Sequence, residues 1–178
     1  ERYMAMLLDH GALIDPTDRW GKTPLHLTAA SSHVELQFLI DHGANIHLRT
    51  NEGQTALHIA AKHGRVESVR ILVDLGMDVN DLDTAGNTPL HMAAYGGHVE
   101  TIQTLVELGA NVNARNAVGS TPLHSIRFGH PARSIRTLIE LGADPLALDN
   151  EGRTPREVVL ERASNTYFVD AAFKRLGM

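Results

Sequence analysis

The 178-residue chain contains no cysteine, and this absence excludes several kinds of chemistry at once. Without thiols there is no disulfide, no thiol nucleophile and no zinc site built on cysteine ligands. A chain that needs no disulfide is compatible with a reducing compartment. We therefore expect an intracellular location, in the cytoplasm or the nucleus.

Aromatic residues are scarce, at 4% of the chain, whereas apolar residues reach 43%. The core must therefore be built from Leu, Val, Ile and Ala, which suits close packing of helices. No apolar run approaches the roughly 18 residues of a membrane-spanning helix, and no signal-peptide pattern is present. The net charge of −5 gives no global signal for nucleic acid. We expect a folded protein without membrane insertion, for which nucleic acid is an unfavoured partner.

Three residue series recur through the whole chain at intervals of 32, 33, 33 and 33 residues. They are the Thr of a Thr-Pro-Leu-His-like phrase, the Gly two residues before it, and the Gly that ends each longer apolar stretch. In chain order these are Thr23, Thr55, Thr88, Thr121 and Thr154; Gly21, Gly53, Gly86, Gly119 and Gly152; and Gly11, Gly43, Gly76, Gly109 and Gly142. A period of this length indicates a solenoid whose units pack only on their neighbours.

Each unit has the same local pattern, which is clearest between residues 83 and 115. Gly86 permits a tight turn, Thr88 can cap a helix, and Pro89 suits the first helical turn, where its missing N–H costs nothing. Gly97 ends this short helix, and a longer helix with an apolar face ends at Gly109. The pattern predicts a loop, a short helix, a turn and a longer helix. Neither helix can bury its apolar face alone.

The phrases TPLHLTAA, TALHIAAKHG, TPLHMAAYGG, TPLHSIRFGH and TPREVV mark five starts of this unit. With the period of about 33 residues, they resemble the ankyrin repeat family over nearly the whole chain. The resemblance implies an all-α ankyrin repeat solenoid, in which stacked helix-turn-helix units are joined by β-hairpin-like loops. We divide this single domain, 1–178, into a partial N-terminal repeat (1–17), repeats one to four (18–49, 50–82, 83–115 and 116–148) and a C-terminal capping repeat (149–178).

Two repeats depart from the pattern. Repeat one lacks one residue between Glu35 and Phe38, so we expect its second helix to be shortened or rewound at its start, with Leu39 and Ile40 kept inward. Repeat four has Arg127 where repeats two and three have alanine. We expect this side chain to reach outward, or the helix pairs to separate locally. Pro131 is tolerated if it starts the second helix.

The eleven histidines do not predict a metal or catalytic site. Four of them occupy one position in successive repeats, about 10 Å apart, too far to share a metal ion. They are His26, His58, His91 and His124, and the resemblance implies that they tie neighbouring loops together. His63 is better interpreted as a partner contact than as a catalytic base. No catalytic motif is present, so we expect no enzyme activity, no metal and no cofactor within these residues.

Asn80 and Asn113 each end a similar phrase after the second helix. The resemblance offers hydroxylation of these asparagines as one alternative. The second alternative, which the residue type favours, is that each is a loop asparagine whose side chain forms hydrogen bonds with the backbone.

The resemblance places the loop tips and the exposed side of the first helices along a concave groove. The partner-binding residues that we predict there are Arg19, Trp20, Lys22, Arg49, Glu52, Gln54, Lys62, His63, Asn87, Tyr95, Arg115 and Phe128. Exposed aromatic residues and arginines dominate binding hot spots. For Phe128, folding back into the stack is an equal alternative.

The full set of groove positions carries seven cations and three anions, a net charge of +4 that leaves −9 for the rest of the chain. The cations are Arg19, Lys22, Arg49, Lys62, Arg115, Arg153 and Arg162, and the anions are Glu52, Glu151 and Glu161. This asymmetry predicts a protein or peptide partner that is acidic and has an apolar anchor. The alternative is a set of solvated surface charges without a binding role.

We expect a monomeric, non-catalytic scaffold for protein–protein interaction that forms one domain of a larger protein. The alternative is a regulatory or substrate-targeting module of an enzyme or effector whose catalytic part lies outside this chain. Nucleic-acid binding through the groove is a weaker hypothesis, because stacked aromatics between closely spaced cations are missing.

Overall fold

The computed structural model describes residues 2–162 and 166–174, and this part of the chain contains helices and turns but no β-strand. The helices are α1 (Arg2–Asp9), α2 (Pro24–Ala29), α3 (His33–Asp41), α4 (Ala56–Lys62), α5 (Val66–Asp74), α6 (Pro89–Gly96), α7 (Val99–Glu107), α8 (Pro131–Glu140), α9 (Pro155–Arg162) and α10 (Thr166–Lys174). A 3-10 turn, Pro122–Ser125, precedes α8. Within these residues, no helix has both the length and the apolar character that crossing a bilayer requires.

The elements form two layers, as stacked helix pairs must. The first helices of successive repeats contact one another in the order α2, α4, α6, the 3-10 turn and α9. The second helices contact one another in the order α3, α5, α7, α8 and α10. The described residues therefore adopt the all-α stack that the resemblance implies. The predicted repeat boundaries remain predictions, and residues 1, 163–165 and 175–178 of the terminal units lie outside the described residues.

The core runs between the two layers and is built from one short set of positions. The Leu of each Thr-Pro-Leu-His-like phrase has at most 1% of its surface exposed; these residues are Leu25, Leu57, Leu90 and Leu123. On the second helices, Leu36, Leu72, Leu105 and Leu138 have no exposed surface. Burying a side chain of this size stabilises the fold by about 1.5–3 kcal/mol. Adjacent buried alanines, such as Ala93 and Ala94, let the first helices approach closely.

The loops have the hairpin-like form that the resemblance implies. In repeat three the Asp83 carboxylate accepts hydrogen bonds from the backbone N–H groups of Ala85 (2.9 Å) and Asn87 (2.8 Å). Gly86, with a φ of +75°, allows the chain to turn back. Neighbouring tips are then joined, because the N–H of Thr84 donates to the carbonyl of Glu52 at 3.0 Å. Bonds of this kind place the tips in a row along one edge of the stack.

The missing residue of repeat one has a different consequence from the one predicted. The expected shortening of the second helix is wrong, because α3 has nine residues, as do α5 and α7. The first helix is shortened instead: α2 has six residues, against seven in α4 and eight in α6, while the turn before α3 keeps three residues, as in repeat two. Ser32 has an extended φ of −141° and its hydroxyl accepts the N–H of Glu35, so α3 begins one residue early. The helix keeps its phase: Leu39 is buried as expected, and Ile40 is half-buried.

Repeat four loses most of its first helix. The helical segment ends at Ser125, and Ile126 is extended, with a ψ of 127°. Ile126 has no exposed surface, while Arg127 points to solvent, so the predicted outward position of this cation is confirmed. A continued helix would have placed Arg127 where Ala94 is fully buried in repeat three, at the cost of desolvating its charge. Pro131 is the first residue of α8, as predicted.

Candidate functional site

The repeated histidines are structural in this fold. The backbone N–H of Thr88 donates to Nδ1 of His91 at 3.1 Å, so the ring proton is on Nε2. Nε2 then donates to the Ser120 carbonyl of the next repeat at 3.0 Å. The same contact joins His26 to Gln54, His58 to Asn87 and His124 to Arg153, at 3.1–3.2 Å. Their interpretation as inter-repeat ties is confirmed.

These contacts need neutral imidazole rings. Burial lowers the pKa of His91 to about 4, and burial is also the main cause that lowers the pKa of His26, His58 and His124. A neutral ring keeps Nδ1 as an acceptor and Nε2 as a donor. The four histidines are therefore occupied in the architecture. No group of three His, Asp or Glu side chains that could hold a metal ion occurs within 2–162 and 166–174.

The N-terminal end of the groove contains the chain's single tryptophan. Trp20 has 53% of its surface exposed at the tip of the first loop. The Arg19 guanidinium lies 4.0 Å from the centre of the Trp20 ring, and the Lys22 amine lies 6.0 Å from it. Cations at these distances are attracted to the ring face, which holds the indole in place without covering it.

A cleft of about 380 Å³ opens beside this tryptophan and extends into repeat two. Its lining residues combine a charged rim of two lysines and one glutamate with an apolar floor at Ile59; they are Trp20, Lys22, Thr50, Asn51, Glu52, Gln54, Ile59, Lys62 and His63. His63 is exposed, and partial burial together with the nearby charges of Lys62 and Arg65 lowers its pKa. The ring is therefore neutral at neutral pH, and Lys22 and Lys62 carry the positive charge of this cleft.

A second cleft, of about 200 Å³, continues the groove into repeats three and four. Gln54 and Lys62 line both clefts, while Tyr95, Met92 and Ser125 belong to the second one. The Lys62 amine lies 6.0 Å from the Tyr95 ring. The Tyr95 ring in turn meets the Phe128 ring edge to face, with 5.0 Å between centroids. Phe128 is half exposed, so it remains in the groove and does not fold back into the stack.

Three of the predicted partner-binding residues form side-chain bonds to a neighbouring repeat, and a fourth is buried. The Arg49 guanidinium forms an ion pair with Asp81 at 2.7 Å and also donates to the Leu82 carbonyl at 3.1 Å. Arg115 donates to the Leu148 carbonyl at 2.7 Å. Gln54 is buried, and the Asn87 side chain accepts from the Asn116 amide at 2.8 Å. These four side chains are less available to a partner than the sequence indicated.

Ion pairing also changes the distribution of groove charge. Arg153 lies within 4 Å of three carboxylates, those of Asp149, Glu151 and Glu161. With Arg49 paired to Asp81, the net charge of +4 overstates the positive charge that is free to attract a ligand. Within the described chain, Arg19, Lys22 and Lys62 form no ion pair, and all three belong to repeats one and two.

The two asparagines after the second helices bond to backbone, as the simpler alternative predicts. Asn80 donates to the Gly109 carbonyl at 3.2 Å and accepts the Asn111 N–H at 2.7 Å. Asn113 contacts Gly142 and Asp144 in the same way, at 3.0 and 2.8 Å. Hydroxylation of either residue remains a prediction.

Sequence reasoning missed the apolar floor of the groove. Ile59 has 5% and Met92 has 9% of its surface exposed, yet each lines one of the clefts. Both are the fourth residue of the first helix in their repeat, next to the repeated histidine. Their residue types indicate core positions. Only their place directly after the histidine of the repeated Thr-Pro-Leu-His-like phrase could have assigned them to the groove.

The comparison with protein families agrees with this architecture. A sequence model for ankyrin repeats, in three copies, matches residues 3–83, 36–116 and 75–149. The chain therefore belongs to the ankyrin repeat family, whose repeats are generally protein–protein interaction modules and are typically non-catalytic. A search of curated proteins gives no match.

Proposed function

We propose that this domain is a non-catalytic scaffold that binds a segment of a partner protein in its concave groove. The observation that carries the proposal is the exposed Trp20 between two cations, beside a cleft whose floor is apolar. An exposed indole has no role in the core. Tryptophan beside arginine is the composition typical of interface hot spots.

The partner segment that fits this groove is acidic and has an apolar side chain. Lys22 and Lys62 flank the cleft and form no ion pair within the described residues, so carboxylates of a partner would complement them. Ile59 and Met92 offer apolar contact below, and Tyr95 and Phe128 offer aromatic contact beside them. The lysines attract such a segment at long range through its carboxylates. At short range, its apolar side chain is removed from water by contact with the groove.

The test is a capture experiment with three baits from a lysate of the source organism. The first bait is the unchanged domain, and the second carries Trp20→Ala, Lys62→Glu and Tyr95→Ala. The third carries Arg136→Glu on α8 and Leu75→Ala directly after α5, which make similar changes at exposed positions outside the groove. Thermal unfolding of each bait first establishes that the fold is kept.

The proposal predicts a protein that is retained by the first and third baits and lost from the second. The attraction between the groove and an acidic segment also predicts weaker capture at higher salt. Equal recovery on the first and second baits would place the interaction outside the groove and contradict the proposal.

A further inference from the structure

The layer of second helices, on the other side of the stack from the groove, has a cleft of its own between α3 and α5. Its volume is about 470 Å³, larger than either of the two clefts in the groove. The residues that line it are His33, Val34, Gln37, Phe38, Asp41 and Ile71. None of them belongs to the predicted partner-binding set, so the proposed function does not account for this cleft.

Two positions give the cleft its apolar lining, and the second helices differ at both. At the first position α3 has Val34, which is 48% exposed, and the later second helices have charged residues: Glu67, Glu100 and Arg133. At the second position α3 and α5 have Phe38 and Ile71, and the later helices have threonine: Thr104 and Thr137. The stack accepts polar residues at these positions elsewhere. The apolar lining is therefore a feature of repeats one and two and is not required by the repeat architecture.

The Phe38 side chain is held in place at this cleft. Its ring stacks on the His42 ring with 4.0 Å between centroids, and Nδ1 of His42 donates to the Phe38 carbonyl at 2.7 Å. Beside it, the Gln37 amide donates to the Asp41 carboxylate at 2.7 Å. These contacts order the lining before any partner arrives, which lowers the entropy cost of binding.

The charge around the cleft is mainly negative. Asp41 and Asp74 are the last residues of α3 and α5, where the helix dipoles add negative potential. Glu35 and Glu67 lie in the first turns of the same helices. Within residues 2–162 and 166–174, none of these four carboxylates forms an ion pair. Carboxylates that are exposed and unpaired complement a cationic partner.

Two arginines belong to the same layer, and neither lies at the acidic end of the cleft. Arg70 is directed toward α7, where its guanidinium pairs with Glu107 at 3.3 Å. Arg65 precedes α5 at the opposite end of the cleft, and its Nε donates to the Ala30 carbonyl at 2.8 Å. The end of the cleft at the C-termini of α3 and α5 is therefore the part that attracts cations.

We propose that this cleft is a second docking site, which binds an amphipathic helix of a basic partner protein. Aliphatic side chains of that helix contact Val34, Phe38 and Ile71, and its Lys or Arg residues lie over Asp41 and Asp74. Two packed helices present a groove that fits the ridge of side chains on a third helix, about 8–10 Å away. The partner is opposite in charge to the acidic segment of the proposed function. The two sites share no residue, so this inference does not depend on the groove.

The experiment is a selection from a library of displayed single helices of about fifteen residues, with random exposed positions. The baits are the unchanged domain, Val34→Glu, Val34→Glu with Phe38→Thr, Asp41→Lys and the groove variant of the capture experiment. Val34→Glu and Phe38→Thr introduce residue types that other repeats have at the same positions, so they suit the fold. Glu140→Lys, at the position of α8 that is equivalent to Asp41, is the charge-matched control. Thermal unfolding establishes that each bait is folded.

We expect the unchanged domain to enrich helices with aliphatic residues three and four positions apart and Lys or Arg beside them. Val34→Glu, alone or with Phe38→Thr, should reduce this enrichment at least tenfold. Asp41→Lys should keep the aliphatic residues and remove the preference for Lys and Arg. The Glu140→Lys control and the groove variant should return the same helices as the unchanged domain.

Three results would overturn the inference. One is a set of helices that both Val34→Glu variants retain, or no enrichment above an empty support. Another is a set of helices lost only from the groove variant, which would support the proposed function and leave the second site without a ligand. The third is a dimer of the unchanged domain, measured by light scattering, that Val34→Glu dissociates, since the cleft would then bind a second copy of this chain.

Discussion

The first helical segments of repeats three and four begin with the same four residues and end differently. TPLH starts at Thr88 in repeat three and at Thr121 in repeat four. The helix α6 continues to Gly96, whereas the helical segment of repeat four ends at Ser125. The capping phrase therefore starts a helix in both repeats but does not decide its length.

The residues that follow the phrase make the difference. Repeat three continues with Ala93 and Ala94, which are small enough to be fully buried between neighbouring first helices. Repeat four has Ile126 and Arg127 at these positions, and only the isoleucine is buried. Because a buried, unpaired guanidinium is costly, the backbone leaves the helical conformation after Ser125. The same step brings Phe128 to the groove, beside Tyr95.

The largest effect is expected when the repeat-four cation is transferred to repeat three. Ala94→Arg must either bury a charge or unwind α6, and we expect a loss of about 4 kcal/mol in the free energy of unfolding. Urea unfolding followed by far-UV circular dichroism measures this loss. Gln103→Arg, at an exposed position of α7, adds the same charge and should change stability by less than about 0.5 kcal/mol. Equal effects of the two variants would contradict our explanation of repeat four.

The second-largest effect on stability is expected at Gly97, in the turn after α6, because this turn contacts Phe128 of repeat four. Gly97 has a φ of +73°, and a side chain there would collide with the Phe128 carbonyl oxygen. We expect Gly97→Ala to lower the free energy of unfolding by about 3 kcal/mol. Gly109→Ala shares the left-handed backbone but has no atom within 4 Å of the added carbon, so it should lose only about 1–2 kcal/mol. If the two variants are equally stable, the close contact between the repeats is not present.

A third effect follows from the histidines that join the two repeats. The pKa of His91 is about 4 in the folded state, below its unfolded value of 6.5, so the unfolded chain binds more protons between these values. Stability from His91 is complete above pH 6.5 and falls as the pH drops toward 4, by about 2 kcal/mol at about pH 5. Urea unfolding of the unchanged protein and of His91→Gln at several pH values measures it. An unchanged pH dependence in His91→Gln would be inconsistent with a buried neutral ring.

The smallest effect is expected from the reverse substitution in repeat four. Arg127→Ala removes the side chain that cannot be buried, so the 3-10 turn should extend into a helix. We expect a gain of up to about 1 kcal/mol and a small increase in helix content by circular dichroism. Arg136→Ala on α8 is the control, since its position is already helical and exposed. The explanation loses its support if Arg127→Ala destabilises the domain.

Much of the fold could be predicted because it is encoded by local signals. Thr88, Pro89 and the glycines after each helix set the helix boundaries through capping and left-handed turns, which act over a few residues. The short first helix of repeat one and the opened helix after Ser125 could not be predicted in the same way. Their conformations depend on what neighbouring repeats have room to bury, which no single repeat specifies.

The groove was predictable as a set of positions but not as a set of available side chains. Trp20, Lys62 and Tyr95 line the two clefts, and Phe128 contacts Tyr95, while their role as partner contacts remains a prediction. Arg49 does not remain free, because Asp81, thirty-two residues later, pairs with it. An ion pair between two repeats depends on the distance between them and on the residues of both. The pattern of residue types within one repeat therefore cannot predict it.

The conformation of residues 122–129 is the point on which the groove depends most directly, and NMR of the unchanged protein can measure it. Backbone carbon chemical shifts and amide exchange should be helical only through Ser125, extended at Ile126, and protected at the Phe128 amide by the Tyr95 carbonyl. Helical shifts that continue through Phe128, with no protection from Tyr95, would contradict the account, since Arg127 would then be accommodated in a complete helix.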